Sequence, residues 1–139
     1  MNDAGLLGHY VADAAQPHHT SVHYDGWAAG VPNPESYTTE RGFHSRFEAA
    51  FVDAHVTLAQ LQPAVRPDAR VFVDVSSAIH DHILDAYARV EELYRLDRDF
   101  DFDPVRPPAP EMRRFAIERL AVGATMLRDL WWTAWRRNA

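Results

Sequence analysis

Between residues 15 and 40 this chain cannot run on as helix. Pro17, Gly26, Gly30, Pro32, Asn33 and Pro34 all fall in that stretch. A proline has no amide hydrogen for a helix interior, and the residue before it avoids the α region. A long irregular loop is therefore expected, and long loops inside compact domains are usually functional. The segments around it are patterned for helix. The first is expected from Asp3 to Ala14, ending before Gln16-Pro17. The second runs from about Glu40 to Leu61, where Phe43, Phe47, Ala50, Phe51 and Ala54 recur at helical spacing. The third starts near Asp74 or Ser76, either of which can cap it, and ends by Asp97, with Ile79, Ile83, Tyr87, Val90 and Leu93 on one face. The fourth runs from about Glu111 to Arg136 with a main stripe of Leu120, Ala124, Leu127, Trp131 and Trp135. Val71-Phe72-Val73 is too isolated to make a sheet. The expected class is all-α: a compact bundle of about four helices and one long loop, in a single domain spanning residues 1–139.

The composition narrows the function classes. A chain of 139 residues has room for one real core. Its formal net charge of −6 argues against a general nucleic-acid footprint. There is no cysteine, so disulfides and thiolate ligands are excluded, and any zinc must be held by histidine and carboxylate. No stretch reaches the apolar length of a membrane span. The first residues, Met1-Asn2-Asp3-Ala4-Gly5, lack the basic and apolar regions of a secretory signal.

Two helical segments place a histidine and a carboxylate four residues apart: His9 with Asp13, and His44 with Glu48. Side chains at i and i+4 lie one above the other on a helix face. His18 and His19 lie between the pairs, just after Gln16-Pro17. His19 swinging in from the loop onto His44 and Glu48 gives two nitrogens and one carboxylate, with a fourth position open for water. That is the donor set of catalytic zinc. On spacing alone, a helix-face His44–Glu48 contact with an unrelated loop histidine is equally expected. His9 and Asp13 lack further ligands, and an ion pair on the helix surface is the simpler reading for them.

The run Gly8-His9-Tyr10-Val11-Ala12-Asp13-Ala14-Ala15-Gln16-Pro17-His18-His19 resembles the zinc-ligand helix and turn of the zinc-dependent phospholipase C and single-strand-specific nuclease superfamily. Gly42-Phe43-His44-Ser45-Arg46-Phe47-Glu48 is similar to that family's second ligand helix. The resemblance covers about residues 5 to 60. It implies a mostly helical fold with up to three zinc ions in a cleft, and hydrolysis of phosphodiesters. Carried over, His19, His44 and Glu48 would hold one zinc, His9 would ligate a second, and Asp13 would bridge the second and third in a catalytic role. The family's ligands upstream of the first motif have no counterpart before His9, so the chain is similar to the C-terminal part of such a domain. One complete zinc site is therefore expected. The implied function is a zinc-dependent phosphodiester hydrolase, incomplete as an isolated chain, acting on a phospholipid or a single-stranded nucleic acid. The alternative is a non-catalytic helical remnant that binds one zinc or none. Family members are commonly exported. A homodimer, or a missing N-terminal half, would cover the apolar excess of Leu6, Leu7, Tyr10, Val11 and Ala14 on the first helix.

The remaining candidates have plainer readings. His18 and His23 read as solvated loop histidines, with contact to substrate as the alternative. Tyr24, Asp25, Gly26 and Trp27 read as pocket lining or as a local packing anchor. Arg46, two residues from each ligand, is expected to point away from the metal and form a surface salt bridge. His80-Asp81 is expected on a solvated helix face, and His55 outside the ligand set. Trp131, Trp132 and Trp135 read as a core stripe, with a lipid interface as the alternative.

Overall fold

A computed structural model describes residues 2–139; Met1, counted in the expected domain, lies outside the described residues. The described residues are all-helical, with no strand and one isolated bridge between Tyr24 and Gly26. Helix α1 spans Asn2–Asp13, and a 3-10 turn follows at Pro17–Thr20. From there to Gly42 the chain has no regular element, as its prolines and glycines require.

The second helical stretch starts at Phe43 rather than Glu40, because Gly42 stands at φ 95, outside the helical region. It comprises α2, Phe43–Ser45, a π-helical segment, Arg46–Phe51, and α3, Val52–His55. The expected helix does not reach Leu61 unbroken. Val56 and Thr57 are extended, and α4, Leu58–Leu61, restarts with a reciprocal cap between Thr57 and Gln60.

The π segment explains a four-residue pattern. In an α-helix, positions four apart drift by about 40° per step. A π turn closes on i+5 and so winds wider. Mixing the two keeps Phe43, Phe47 and Phe51 on one line, and all three are buried. They meet Tyr94, Phe102, Met112 and Phe115 in the main core. Full burial of a side chain such as Phe43 or Phe51 contributes roughly 1.5–3 kcal/mol.

The third expected helix is two: α5, Val75–Tyr87, and α6, Val90–Phe100. Asp74 caps the first, accepting the Ser77 amide at 3.1 Å. The expected stripe divides at the joint. Val90 and Leu93 are buried, but Ile79, Ile83 and Tyr87 are exposed. The buried residues of α5 are His82 and Ala86, and His82 Nε2 lies 3.1 Å from the Val11 carbonyl on α1.

Helix α7, Pro110–Asn138, carries a different buried face from the one its apolar residues suggest. Trp131, Trp132 and Trp135 are exposed, so they are not a core stripe. The inward face includes Met112, Phe115, Ala116, Gly123, Met126 and Leu130, with Arg119, Asp129 and Thr133 among them. Each of those three polar groups is paired. Arg119 binds Asp85 at 2.8 Å; Asp129 takes Arg66, Arg128 and the Arg70 amide; Thr133 Oγ1 accepts the Phe72 amide. These bonds pin the segment from Arg66 to Phe72 along α7. Helix α1 lies close on α7 where small residues permit it. A Cβ on Gly123 would stand 3.3 Å from that of Ala15, and one on Gly8 3.4 Å from Leu127. Leu6, Leu7 and Tyr10 face outward from α1, whereas Val11 is buried. No helix among the described residues is long and apolar enough to cross a membrane.

Candidate metal centre

The 3-10 turn sets the position of His19. Pro17 starts it with a preset φ, and the Gln16 side chain accepts the His18 amide at 3.1 Å. The start of the helix that carries His44 is fixed by a residue outside it in sequence. Asp25 Oδ1 accepts the amides of Gly42 at 2.8 Å and His44 at 3.1 Å, satisfying donors that a helix start leaves open. Burial works against the Asp25 charge, but those two bonds, with His44 and Arg41 nearby, hold its carboxyl below the usual carboxylate range.

His19, His44 and Glu48 converge on one point. His19 Nε2 is 2.8 Å from His44 Nε2, His44 Nε2 is 2.9 Å from Glu48 Oε2, and His19 Nε2 is 3.4 Å from Glu48 Oε2. A tetrahedral zinc with bonds of about 2.0–2.1 Å separates its ligands by about 3.3–3.4 Å. One of the three edges already has that length, and the other two need to open by only about half an ångström. The donor chemistry and the spacing both fit, and the group can hold a metal ion. Gln16 Nε2 donates to Glu48 Oε2 at 3.2 Å, tying the Gln-Pro turn to the carboxylate of the cluster.

His9 and Asp13 meet at 3.3 Å but do not join that group. Asp13 instead approaches the far side of His19: its Oδ1 is 3.3 Å from Nδ1, the nitrogen turned away from the cluster. Among the described residues, His19, His44 and Glu48 form the one such group of three.

His18 is not a solvated loop residue. It is fully buried, edge-on to Phe43, Phe47 and Tyr94. Burial, reinforced by the neighbouring imidazoles of His44 and His19, pushes its pKa down to about 3, so it stays neutral and packs as an aromatic. His23 is also buried. It stacks on Trp27 at 3.6 Å between centroids and accepts the Ala28 amide, and burial lowers its pKa. Trp27 and Asp25 are thus packing and capping residues of the loop. Arg46 points away from the cluster and forms the expected surface pair with the exposed Asp101 at 2.9 Å, but it also binds the buried Asp97 at 2.8 Å and lies over the Phe43 ring. His80 and Asp81 are exposed, and His55 contacts Phe51 and the Asp103 carbonyl, outside the ligand set.

A cleft of about 270 Å³ opens beside the cluster. His19 and Glu48 stand at its edge, and Ala12, Ala15, Phe47 and Leu120 supply apolar wall. A larger cavity of about 1040 Å³ lies along α7, lined in part by Arg70, Phe72, Asp81, Arg113 and Met126, and contains none of the expected ligands. No protein-family model matches the chain, and neither does any curated protein or solved structure.

Proposed function

We propose that the chain is a one-zinc protein whose chemistry is phosphodiester hydrolysis, with His19, His44 and Glu48 as the ligands. The observation that carries this reading is the convergence of two Nε2 atoms and one carboxylate oxygen within 3.4 Å of one another, at the edge of a cleft. The resemblance of residues 5 to 60 to the phospholipase C and nuclease superfamily supplies the reaction class. Zinc supplies a Lewis acid that polarises phosphoryl oxygen and brings water towards ionisation near neutral pH. The chain's own residues do the rest. Three such ligands would leave one position of a tetrahedral zinc open for water. Gln16 holds the ligand oxygen of Glu48, and Asp25 fixes the helix that carries His44. Ala12, Ala15 and Leu120 line the neighbouring cleft with apolar atoms.

A second reading is a non-catalytic, structural zinc. It is favoured by the origin of the ligands, one in the 3-10 turn and two in the second helical stretch, so that a bound ion ties these segments together. Metal analysis after dialysis, combined with zinc-dependent release of nitrophenol from bis-nitrophenyl phosphate, separates the two. About one zinc per chain and a small zinc-dependent rate lost in Glu48→Ala supports the hydrolase. A single metal lacks the partner that shares developing phosphoryl charge, and losing one such stabilising group typically costs about 10²–10³ in rate. One zinc with no zinc-dependent rate supports the structural role, and no zinc rejects both.

A further inference from the structure

The two histidine ligands are held in different ways. His44 is in a helix whose first amides are capped by Asp25. His19 is in a four-residue 3-10 turn at the head of a long irregular loop, where the backbone alone fixes a ring poorly. The outer nitrogen of His19 is nevertheless covered: Nδ1 stands 3.3 Å from Asp13 Oδ1. The other oxygen of that carboxylate, Oδ2, is 3.3 Å from His9 Nε2 one helix turn back. Asp13 is thus braced between two imidazoles at the end of α1 and faces the nitrogen of His19 that does not point at the cluster.

We propose that Asp13 is a positioning residue rather than a metal ligand: it accepts the Nδ1 hydrogen of His19, fixes the ring's orientation and leaves Nε2 as the free donor towards the metal. An imidazole ligand offers its lone pair from one nitrogen only when the other carries the hydrogen, and a carboxylate behind the ring selects that tautomer and raises the basicity of the donor. This role differs from the metal bridging that the family resemblance implies: Asp13 Oδ1 lies beside Nδ1 of His19 and not Nε2, and among the described residues no third donor joins His9 and Asp13. His9 acts at one remove, holding the Asp13 carboxylate.

The inference rests on the His19, His44 and Glu48 site, and the test separates the two. Cobalt(II), which reports its own coordination by visible absorption, is titrated into the wild type, Asp13→Ala and Asp13→Asn in competition with a chromophoric chelator. Long-range proton–nitrogen NMR of the metal-free chain reads the His19 tautomer directly. The expected result is one cobalt per chain in all three. Affinity falls about 10- to 100-fold in Asp13→Ala. Asp13→Asn, which keeps an accepting oxygen, retains an intermediate affinity. The wild-type His19 signal should show hydrogen on Nδ1, with that preference lost in Asp13→Ala. Equal affinity in wild type and Asp13→Ala would overturn the positioning role and leave the metal site standing. So would two cobalt ions in the wild type falling to one in both variants, since Asp13 would then be a ligand. Failure of the wild type to bind cobalt removes the site and this role with it.

Discussion

Asp25 Oδ1 lies 3.1 Å from the amide of His44, so a loop residue caps the helix that carries two of the three residues proposed as ligands. Removing the carboxylate leaves the amides of Gly42 and His44 without their acceptor. Asp25→Ala is expected to lower the urea midpoint by the equivalent of about 1–2 kcal/mol, in line with a lost helix cap, and to weaken zinc binding with it. Asp25→Asn should recover part of both. An unchanged midpoint and affinity in the alanine variant would show that the cap has no role in holding the ligand helix.

Two histidines on helices give a second comparison. His44→Ala removes a ligand from the cluster, and His80→Ala removes an exposed side chain outside it. Zinc retained after dialysis should disappear in the first and stay at the wild-type level in the second. Equal loss in both would place the metal elsewhere.

Gly26 and Gly30 share a positive φ but not an environment. At Gly26 a Cβ would meet the Glu40 carbonyl oxygen at 2.7 Å and Thr39 backbone at 2.8 Å, neither of which can yield cheaply. At Gly30 nothing lies within 4 Å. Gly30→Ala should cost about 1–2 kcal/mol, the ordinary penalty of a left-handed backbone. Gly26→Ala should cost clearly more, because the collision adds to that penalty. Thermal denaturation of the two variants side by side decides it; matching Tm values would mean the loop relaxes freely at Gly26.

Asp129 makes stability depend on acid. Burial works against its charge, but Arg128, the Arg70 amide and Arg66 outweigh burial and hold its carboxyl below the ordinary value. A carboxyl depressed on folding stabilises fully above its unfolded pKa, about 3.9, and loses that contribution as pH falls through the folded value. The difference in urea midpoint between wild type and Asp129→Asn should therefore be constant from pH 7 to about 5 and shrink as pH drops below about 4. A difference that holds at pH 2 would mean Asp129 acts through shape and not charge.

The helices and the long loop could be read from the sequence because proline, glycine and four-residue apolar spacing act locally. The break between α5 and α6 could not. Ala88 and Arg89 carry no proline or glycine, and the joint is set by what each helix packs against. Periodicity also misled where apolar residues face solvent. Trp131 and Trp135 follow one helical face, but the face that is buried holds Arg119, Asp129 and Thr133, acceptable there because each is paired across space, with Asp85, Arg66 and the Phe72 amide. In the cluster, His44 and Glu48 were legible as an i, i+4 pair and His19 as the loop residue able to reach them. The supporting roles of Asp25 and Gln16 were not, because each acts on a residue 19 or 32 positions away. His18 and His23 read as solvated because they fall in an irregular loop, while rings that pack on them, Phe43 and Tyr94, come from other segments.

The widened turn over Arg46–Phe51 divides this helix into two parts with separate duties. A π turn amounts to an α-helix that has absorbed one extra residue without looping it out. Deleting Ala49 or Ala50 would let the winding return to the regular form, and the tighter winding would take up the roughly 100° that the lost residue contributed. Phe51 and His55 would then stay against Phe102 and the Asp103 carbonyl, and His44 and Glu48, both before the deletion, would remain four residues apart on one face. The wide turn is thus a place where this helix can lose one residue while the His44–Glu48 pair and the core anchorage both keep their places.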